Sequence, residues 1–377
     1  MAIIDLEGFE RLVTGVIPAA PTASAKVLDA FGWIIAPGDP EVAAYPDYVV
    51  AIEVSEANAY RRGKAITISP AKTAWAAYAG KHPLVLKPIP MASFNKVVVG
   101  FNLFIHSSTS TASPDASIIR FGPSLTGASY AGNNFAMTAL STGAIMFAGV
   151  QTPGALGSFI GKWAFHEIVL DKTAGRVDWY VNGNLIGGAA TPVATFNSIQ
   201  AFNAGPIGGT YVTQMAKFTV DDIYVADLGT DPTRVLGRGK VDIARPNETV
   251  SAAFATNGSE QNWQNLDVPV NLATYNSSPT EGAVDIIGLD NPLASSPSDD
   301  IVLAVVTSTL VRTSTGQMDV VVGTGIGSTF NKTTVTGVTT TPTGIKQVNE
   351  VNPATGQPWT VAEIADLRTG YAVKTWP

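Results

Sequence analysis

"HEIVLDKTAGRVDWYVNGNLI", residues 166–186, decides the fold class. In a strand, successive side chains point to opposite faces. His166, Ile168 and Leu170 therefore share one face of a first strand. Val177, Trp179 and Val181 share one face of a second. Residues 172–175 between them read as a turn, with Gly175 suited to positive φ. Asn182-Gly183 is a strong hairpin signal, because a tight two-residue turn needs positive φ at both positions. The two apolar faces can close on one core. Glu167, Asp171 and Asp178 then point to the other side.

The same alternation recurs on both sides of this stretch. Segments 48–55, 64–70, 96–105, 116–122, 144–149 and 216–227 read as further strands, separated by short turn-rich pieces. This is the spacing of an all-β sandwich, placed at residues 1–228. Residues 229–239 hold turn formers without a periodic core and read as a linker. Segments 240–246, 283–290, 300–313, 318–323 and the Thr-rich 333–344 predict a smaller β-domain over 240–377. Thr-rich alternation suits exposed strands. Near the end, "TVAEIADLRTG" (360–370) carries the marks of a helix over 360–369. Thr360 and Glu363 form a capping box, and Ile364 and Leu367 give an apolar face. Arg368 suits the last turn and Gly370 the closing residue. No heptad pattern is present, so an oligomer would not rest on a coiled coil.

Composition narrows the function classes. With 377 residues, two or three domains are expected. Charged residues make up 14% and apolar residues 45%, which predicts a folded chain with much of its surface covered by partners, a homo-oligomer among them. Net charge is −7, and Arg61, Arg62 and Lys64 are only a short basic cluster, so a nucleic-acid partner is not expected. There is no cysteine, which excludes disulfides and thiolate metal sites. The opening "MAIIDLEGFERL" has no basic region, so no secretory leader is expected, and the sequons at Asn276 and Asn331 read as chance. No run approaches the roughly 18 apolar residues of a membrane span.

Each reactive constellation in the sequence has a plainer reading beside it. A glycoside hydrolase needs two carboxylates about 5–9 Å apart across a cleft. Glu167 and Asp171, beside His166, are the tempting pair. Four residues along a strand separates them by about 13 Å, and Val169 shares their face. A non-enzymatic strand is the preferred reading. No Gly-x-Ser-x-Gly elbow, phosphate loop, dinucleotide fingerprint or His-Glu-x-x-His occurs. His82, His106 and His166 are scattered. No cofactor is expected. Calcium is the less favoured reading of Asp221-Asp222 and Asp299-Asp300, because adjacent acids on a strand point opposite ways, and solvated strand ends are preferred. Aromatics carry the binding hypothesis. Tyr45, Trp75 and Tyr78 are the candidate glycan or interface residues, whereas Trp33 and Tyr48 read as core.

Two resemblances extend this reading. "GKWAFHEIVLDKTAGRVDWYVNGNLI" (161–186) and the closing "FTVDDIYVAD" (218–227) resemble the strand–hairpin–strand of concanavalin A-like lectin and laminin G-like sandwiches. The calcium-and-sugar motif of legume lectins is not matched, so this resemblance implies fold and leaves sugar binding to analogy. "DDIYVADLGTDPTRVLGRGKVDIARPNE" (221–248), Trp263 and "NPATGQPWTVAEIADLRTGY" (352–371), with the opening "IIDLEGFERL", resemble virion structural proteins of tailed bacteriophages. That resemblance implies a tail, baseplate or fibre component, with a capsid or neck decoration protein as the alternative. It implies other virion proteins as partners, assembly in the bacterial cytoplasm and location in the virion. A carbohydrate-binding module for host surface glycans is the alternative from a different class.

Overall fold

The computed structural model describes residues 2–7, 15–17, 34–36, 51–55, 57, 60, 64–69, 84–87, 93–108, 117–121, 135–190, 200–202, 216–229, 236–237, 239–266 and 273–376. The chain is all-β, and among the described residues only short 3-10 turns stand beside its strands. It divides into two compact units, the first ending at Val241 and the second running on from Asp242.

In the first unit the strands are β1 (Ala2–Glu7), β2 (Gly15–Ile17), β3 (Ile34–Ala36), β4 (Ala51–Ser55), β5 (Ala65–Ser69), β6 (Leu84–Lys87), β7 (Lys96–Ser108) and β8 (Ser117–Phe121). They continue as β9 (Phe135–Ala139), β10 (Ile145–Phe147), β11 (Val150–Gln151), β12 (Trp163–Asp171), β13 (Arg176–Val181), β14 (Asn184–Ala190), β15 (Gln200–Phe202) and β16 (Ala216–Asp227). One sheet runs β14-β13-β12-β7-β16-β5-β4-β2, with β1 also on β16. The other runs β11-β10-β9-β8-β15-β6-β3.

The two sheets meet as a sandwich. Trp179 of β13 packs edge-on against Phe147 of β10, with ring centroids 6.1 Å apart. The Ser108 hydroxyl of β7 donates to the Ala139 carbonyl of β9 at 2.7 Å. Val97, Val99, Phe101, Leu103, Ile168, Leu170, Val177, Val181, Phe218 and Val220 fill the inner face of the larger sheet. The hairpin of residues 166–186 is present. Gly175 turns with φ 58°, and Asn182 and Gly183 take φ 50° and 80°.

The middle strands of this sheet are buried on both faces. On the face away from the second sheet, Glu167, Gly100 and Tyr224 lie side by side on β12, β7 and β16. A Cβ on Gly100 would sit 1.8 Å from the Tyr224 ring. Glycine in mid-strand is thus the space through which that ring crosses β7. β16 reaches this position through a bulge. Asp221 opposes Asn102 and Tyr224 opposes Gly100, and Asp222 takes φ 50°. One extra residue on β16 re-aims the side chains that follow it.

The second unit contains β17 (Pro246–Ser251), β18 (Ala255–Asn257), β19 (Tyr275–Ser277), β20 (Val284–Leu289), β21 (Val305–Val311), β22 (Met318–Ile326), β23 (Thr329–Val338), β24 (Thr343–Asn349) and β25 (Leu367–Val373). A sheet β17-β20-β25-β22-β23 is accompanied by the pairs β18-β19 and β21-β24. Trp359, Ile364 and Leu367 form an apolar cluster with Leu289, Leu293 and Ile326. Elsewhere the layers meet through amides and hydroxyls. Thr324 of β22 bonds Thr307 of β21 and donates to Gln347 of β24 at 2.8 Å. Gln347 in turn donates to Thr333 at 3.0 Å and to the Asn331 carbonyl at 2.9 Å, both on β23. Asn331 donates to Asn349 at 2.5 Å.

Two expectations are corrected here. The 360–369 helix is a 3-10 turn over Ala362–Asp366, and the chain then enters β25. The capping box itself forms, Thr360 N–H donating to Glu363 at 2.8 Å and Glu363 N–H to the Thr360 hydroxyl at 3.4 Å. What ends the turn is the sheet. β25 lies between β20 and β22, so its backbone groups are satisfied on both sides. Gly370 does not cap a helix. It faces Gly323 across the ladder, and the Trp376 ring lies over both. Segment 240–246 is not a strand either, and β17 begins only at Pro246. Its backbone donors go to carboxylates instead, Val241 N–H to Asp222 at 2.9 Å and Arg245 N–H to Asp290 at 2.6 Å.

Replacing Gly100 by alanine drives a methyl group into the Tyr224 ring. The expected loss is about 3 kcal/mol, from overpacking and the displaced phenol hydrogen bond. Urea denaturation of Gly100→Ala checks it, and adding Tyr224→Leu should recover part of the loss by removing the clash.

Candidate functional site

Among the described residues, the chemistry-bearing side chains of the first unit gather on the outer face of the larger sheet. Glu167 is central. Strand alternation turns it away from the second sheet, and its backbone pairs with Gly100 and Tyr180. Its carboxylate accepts the Tyr224 phenol at 2.5 Å, the Leu236 N–H at 2.7 Å and the Gly237 N–H at 3.2 Å. Glu167 is fully buried. Burial raises its pKa, and the hydrogen bonds from Tyr224, Leu236 and Gly237 pull against that rise. Tyr224 is pushed well above the usual phenol range by burial and by the neighbouring carboxylate.

Beside this lies a second carboxylate group. Asp221 and Asp222 were expected at solvated strand ends. Both are buried in mid-strand instead, because the bulge folds them into the sheet. Asp222 accepts from Asn102 at 2.8 Å and from Val241 N–H at 2.9 Å. Asp221 accepts from Asp222 N–H and from Tyr60 N–H, each at 2.8 Å. A cation here would have to displace these donors. Among the described residues, no group of three His, Cys, Asp or Glu side chains has the geometry to hold a metal ion. Asp299 and Asp300 are exposed, as expected.

Glu167 and Asp171 do not frame an open cleft. Asp171 stands at the strand end, paired with Lys96 at 3.4 Å and accepting Ala174 N–H at 2.8 Å. Asp178, on the same face, accepts from Arg176 at 2.7 Å. His166 points the other way, into the core. Its ring stacks on Phe101 and Trp179, and its Nδ1 accepts the Trp179 indole N–H at 3.2 Å. Nε2 has no hydrogen-bond partner among the described residues. Burial lowers its pKa to about 3.

The outer face also carries rings that sequence reading missed. Tyr60 lies 5.2 Å and Phe104 5.5 Å from Trp163, and His106 lies 4.7 Å from Phe104. All four are half-buried. His106 Nε2 is hydrogen-bonded to the Thr219 hydroxyl at 2.7 Å. Tyr45, Trp75 and Tyr78, the sequence candidates, lie outside the described residues, as do Trp33, Tyr48 and His82.

The second unit repeats the Glu167 arrangement. Asp285 of β20 is fully buried. It accepts Ala253 N–H at 2.6 Å, Phe254 N–H at 2.9 Å, the Tyr371 phenol of β25 at 2.8 Å and the Asn262 amide. Asn276 donates to the Tyr371 oxygen at 2.6 Å. In both units a carboxylate on a central strand takes a phenol from another strand and two consecutive N–H groups from an irregular segment. One signal was available for the first. A glycine inside the apolar run "KVVVGFNLFI" marks a close approach.

No protein-family model and no curated protein matches the chain. Among solved structures it is similar to a sialidase, 18% identical over 61% of this chain and 19% of that one, with TM-score 0.38. It is similar to lectin I of Ulex europaeus, 10% identical over 47% of this chain and 89% of that one, with TM-score 0.31. A third is arcelin-5, a lectin-like defence protein of Phaseolus vulgaris, 9% identical over 51% and 96%, with TM-score 0.29. The chain thus spans about a fifth of the sialidase (19%). No ligand or activity is inferred from these likenesses.

Two outcomes follow from the buried groups. The His166 imidazole, neutral in the fold, gains its proton near 6.5 once unfolded. Stability held by keeping it neutral is complete above about pH 6.5 and is lost as pH falls toward 3, by up to about 1.4 kcal/mol per unit. Glu167 acts with the opposite sign. Its raised pKa makes stability rise as pH falls through the window just above the usual carboxylate range. His166→Phe should therefore flatten the fall in urea midpoint between pH 6.5 and 5. Glu167→Gln loses one acceptor for Gly237, which costs about 1–3 kcal/mol. Amide exchange at Leu236 and Gly237 should quicken first, ahead of exchange in β7 and β12.

Proposed function

We propose that this chain is a non-enzymatic structural protein of a tailed-bacteriophage virion, a tail, baseplate or fibre component that serves assembly and host attachment. One observation carries the non-enzymatic part. Among the described residues, buried carboxylates of the kind a hydrolase would spend on substrate are spent on the protein's own backbone, Glu167 on Leu236 and Gly237, Asp222 on Val241, and Asp285 on Ala253 and Phe254. A buried carboxylate that already accepts two or three hydrogen bonds from its own chain is held by them and shielded from a substrate, so it is poorly placed to take a proton or attack a bond. The virion part draws its support from the resemblance of 221–248, Trp263 and 352–371 to such proteins. A charged fraction of only 14% agrees with a surface that neighbours cover.

Cryo-electron microscopy of virions, with mass spectrometry of the same particles, tests this reading. The expected result is density for both units at the tail, in a fixed ratio to the other tail proteins. Absence of the chain from purified particles would overturn it, and density on the capsid or neck would replace attachment with decoration.

A further inference from the structure

Leu236, Gly237 and Val241 dock over one end of the outer face of the larger sheet, on Glu167 and Asp222. The other end keeps its rings half in solvent. We propose that this second end, built of Tyr60, Phe104, Trp163, His106 and Lys217 over the buried Thr219, is a binding site for a glycan bearing a carboxylate. The proposal deepens the attachment part of the reading above and is a property of the isolated chain.

The site is built by strand register. Trp163 of β12, Phe104 of β7 and Thr219 of β16 lie side by side in one row across the sheet. Their alternation turns all three outward. Tyr60 and Phe104 both pack against Trp163, each at an interplanar angle of 55°. A propped ring with one part in solvent is a stacking surface for the C–H face of a pyranose. The indole N–H of Trp163 has no hydrogen-bond partner among the described residues, so it can donate to a sugar hydroxyl.

His106 supplies direction. It is the extra residue where β7 bulges against β16, since Ile105 opposes Phe218 and Ser107 opposes Lys217. Its Nε2 is tied to Thr219, whose hydroxyl is tied to Thr67 at 2.7 Å. The ring is therefore held in place, and Nδ1 is left without a partner among the described residues.

Lys217 sets the ligand class. It is half-buried and forms no ion pair among the described residues. It opposes Ser107, the residue after His106, and burial first and the Lys217 charge second lower that ring's affinity for a proton. In a chain of net charge −7, a cation without an ion-pair partner beside His106 calls for an anion. A single cation suits one carboxylate. A nucleic-acid strand would stack on the same rings but needs a row of cations along its phosphates.

The test is retention of the full chain on immobilised oligosaccharides that carry sialic, glucuronic or galacturonic acid, beside their neutral counterparts and single-stranded oligothymidylate. Retention on carboxylated glycans is expected, weakened about tenfold by Lys217→Gln, further by Lys217→Glu, and lost in Trp163→Ala. Lys217→Gln should keep the parent's thermal midpoint, so its result stands even where Trp163→Ala misfolds. No retention of any carboxylated glycan by folded protein would overturn the site. So would equal retention of neutral glycans, indifference to Lys217→Gln, or binding to the oligonucleotide alone. A chain that fails on the glycans yet is found in the tail would lose this site and keep its structural role.

Discussion

The structure turns on one hydrogen-bonded acid. The Glu167 carboxylate takes a phenol that has crossed a neighbouring strand and two N–H groups from a segment some seventy residues further along the chain. Each part requires another. Tyr224 can cross only because position 100 has no side chain, and it reaches its place only because the bulge at Asp222 shifts β16 by one residue. The Leu236–Gly237 backbone can lie on the sheet only because an acceptor waits there. An unsatisfied buried N–H costs about 1–3 kcal/mol, and a buried carboxylate without donors costs more. The arrangement is stable only when complete. Asp285 and Tyr371 apply the same rule in the second unit, which makes it a recurring solution for fastening irregular chain to the face of a sheet.

This solution explains an oddity of composition. Charged residues are few, yet several of the acids lie inside. They act less as charges than as acceptors with capacity for several donors. An acid of this kind needs no cationic partner, which agrees with a chain whose lysines and arginines are also few. The Thr, Asn and Gln layer of the second unit extends the principle to neutral groups. There the direction of each bond, more than the fit of apolar surfaces, fixes the registry of β21 and β24 on the sheet.

Sequence reading succeeded where the information is local. Alternation located Arg176–Val181 and Ala216–Asp227 to the residue, and Asn182-Gly183 named its own turn. It failed where distant chain decides. The capping box at Thr360 and Glu363 formed, but the length of its helix was settled by β20 and β22, each far away in sequence. Asp222 reads as a surface acid until the bulge buries it. Glu167 reads as a non-catalytic strand residue, but what it holds is not legible, because Tyr224 and Leu236 lie 57 and 69 residues away. The ring group of Tyr60, Phe104 and Trp163 comes from three separate segments, so no window of sequence contains it.

The amide and hydroxyl layer between β21, β22, β23 and β24 has a thermal consequence. Exposing apolar surface raises the heat capacity of unfolding, and exposing polar surface lowers it. A unit that seals part of its interior with Thr324, Gln347, Asn331 and Asn349 carries a smaller heat-capacity increment than an aliphatic interior of equal size. Its stability curve is correspondingly broad and shallow. Such a unit changes little between a cold environment and a warm one.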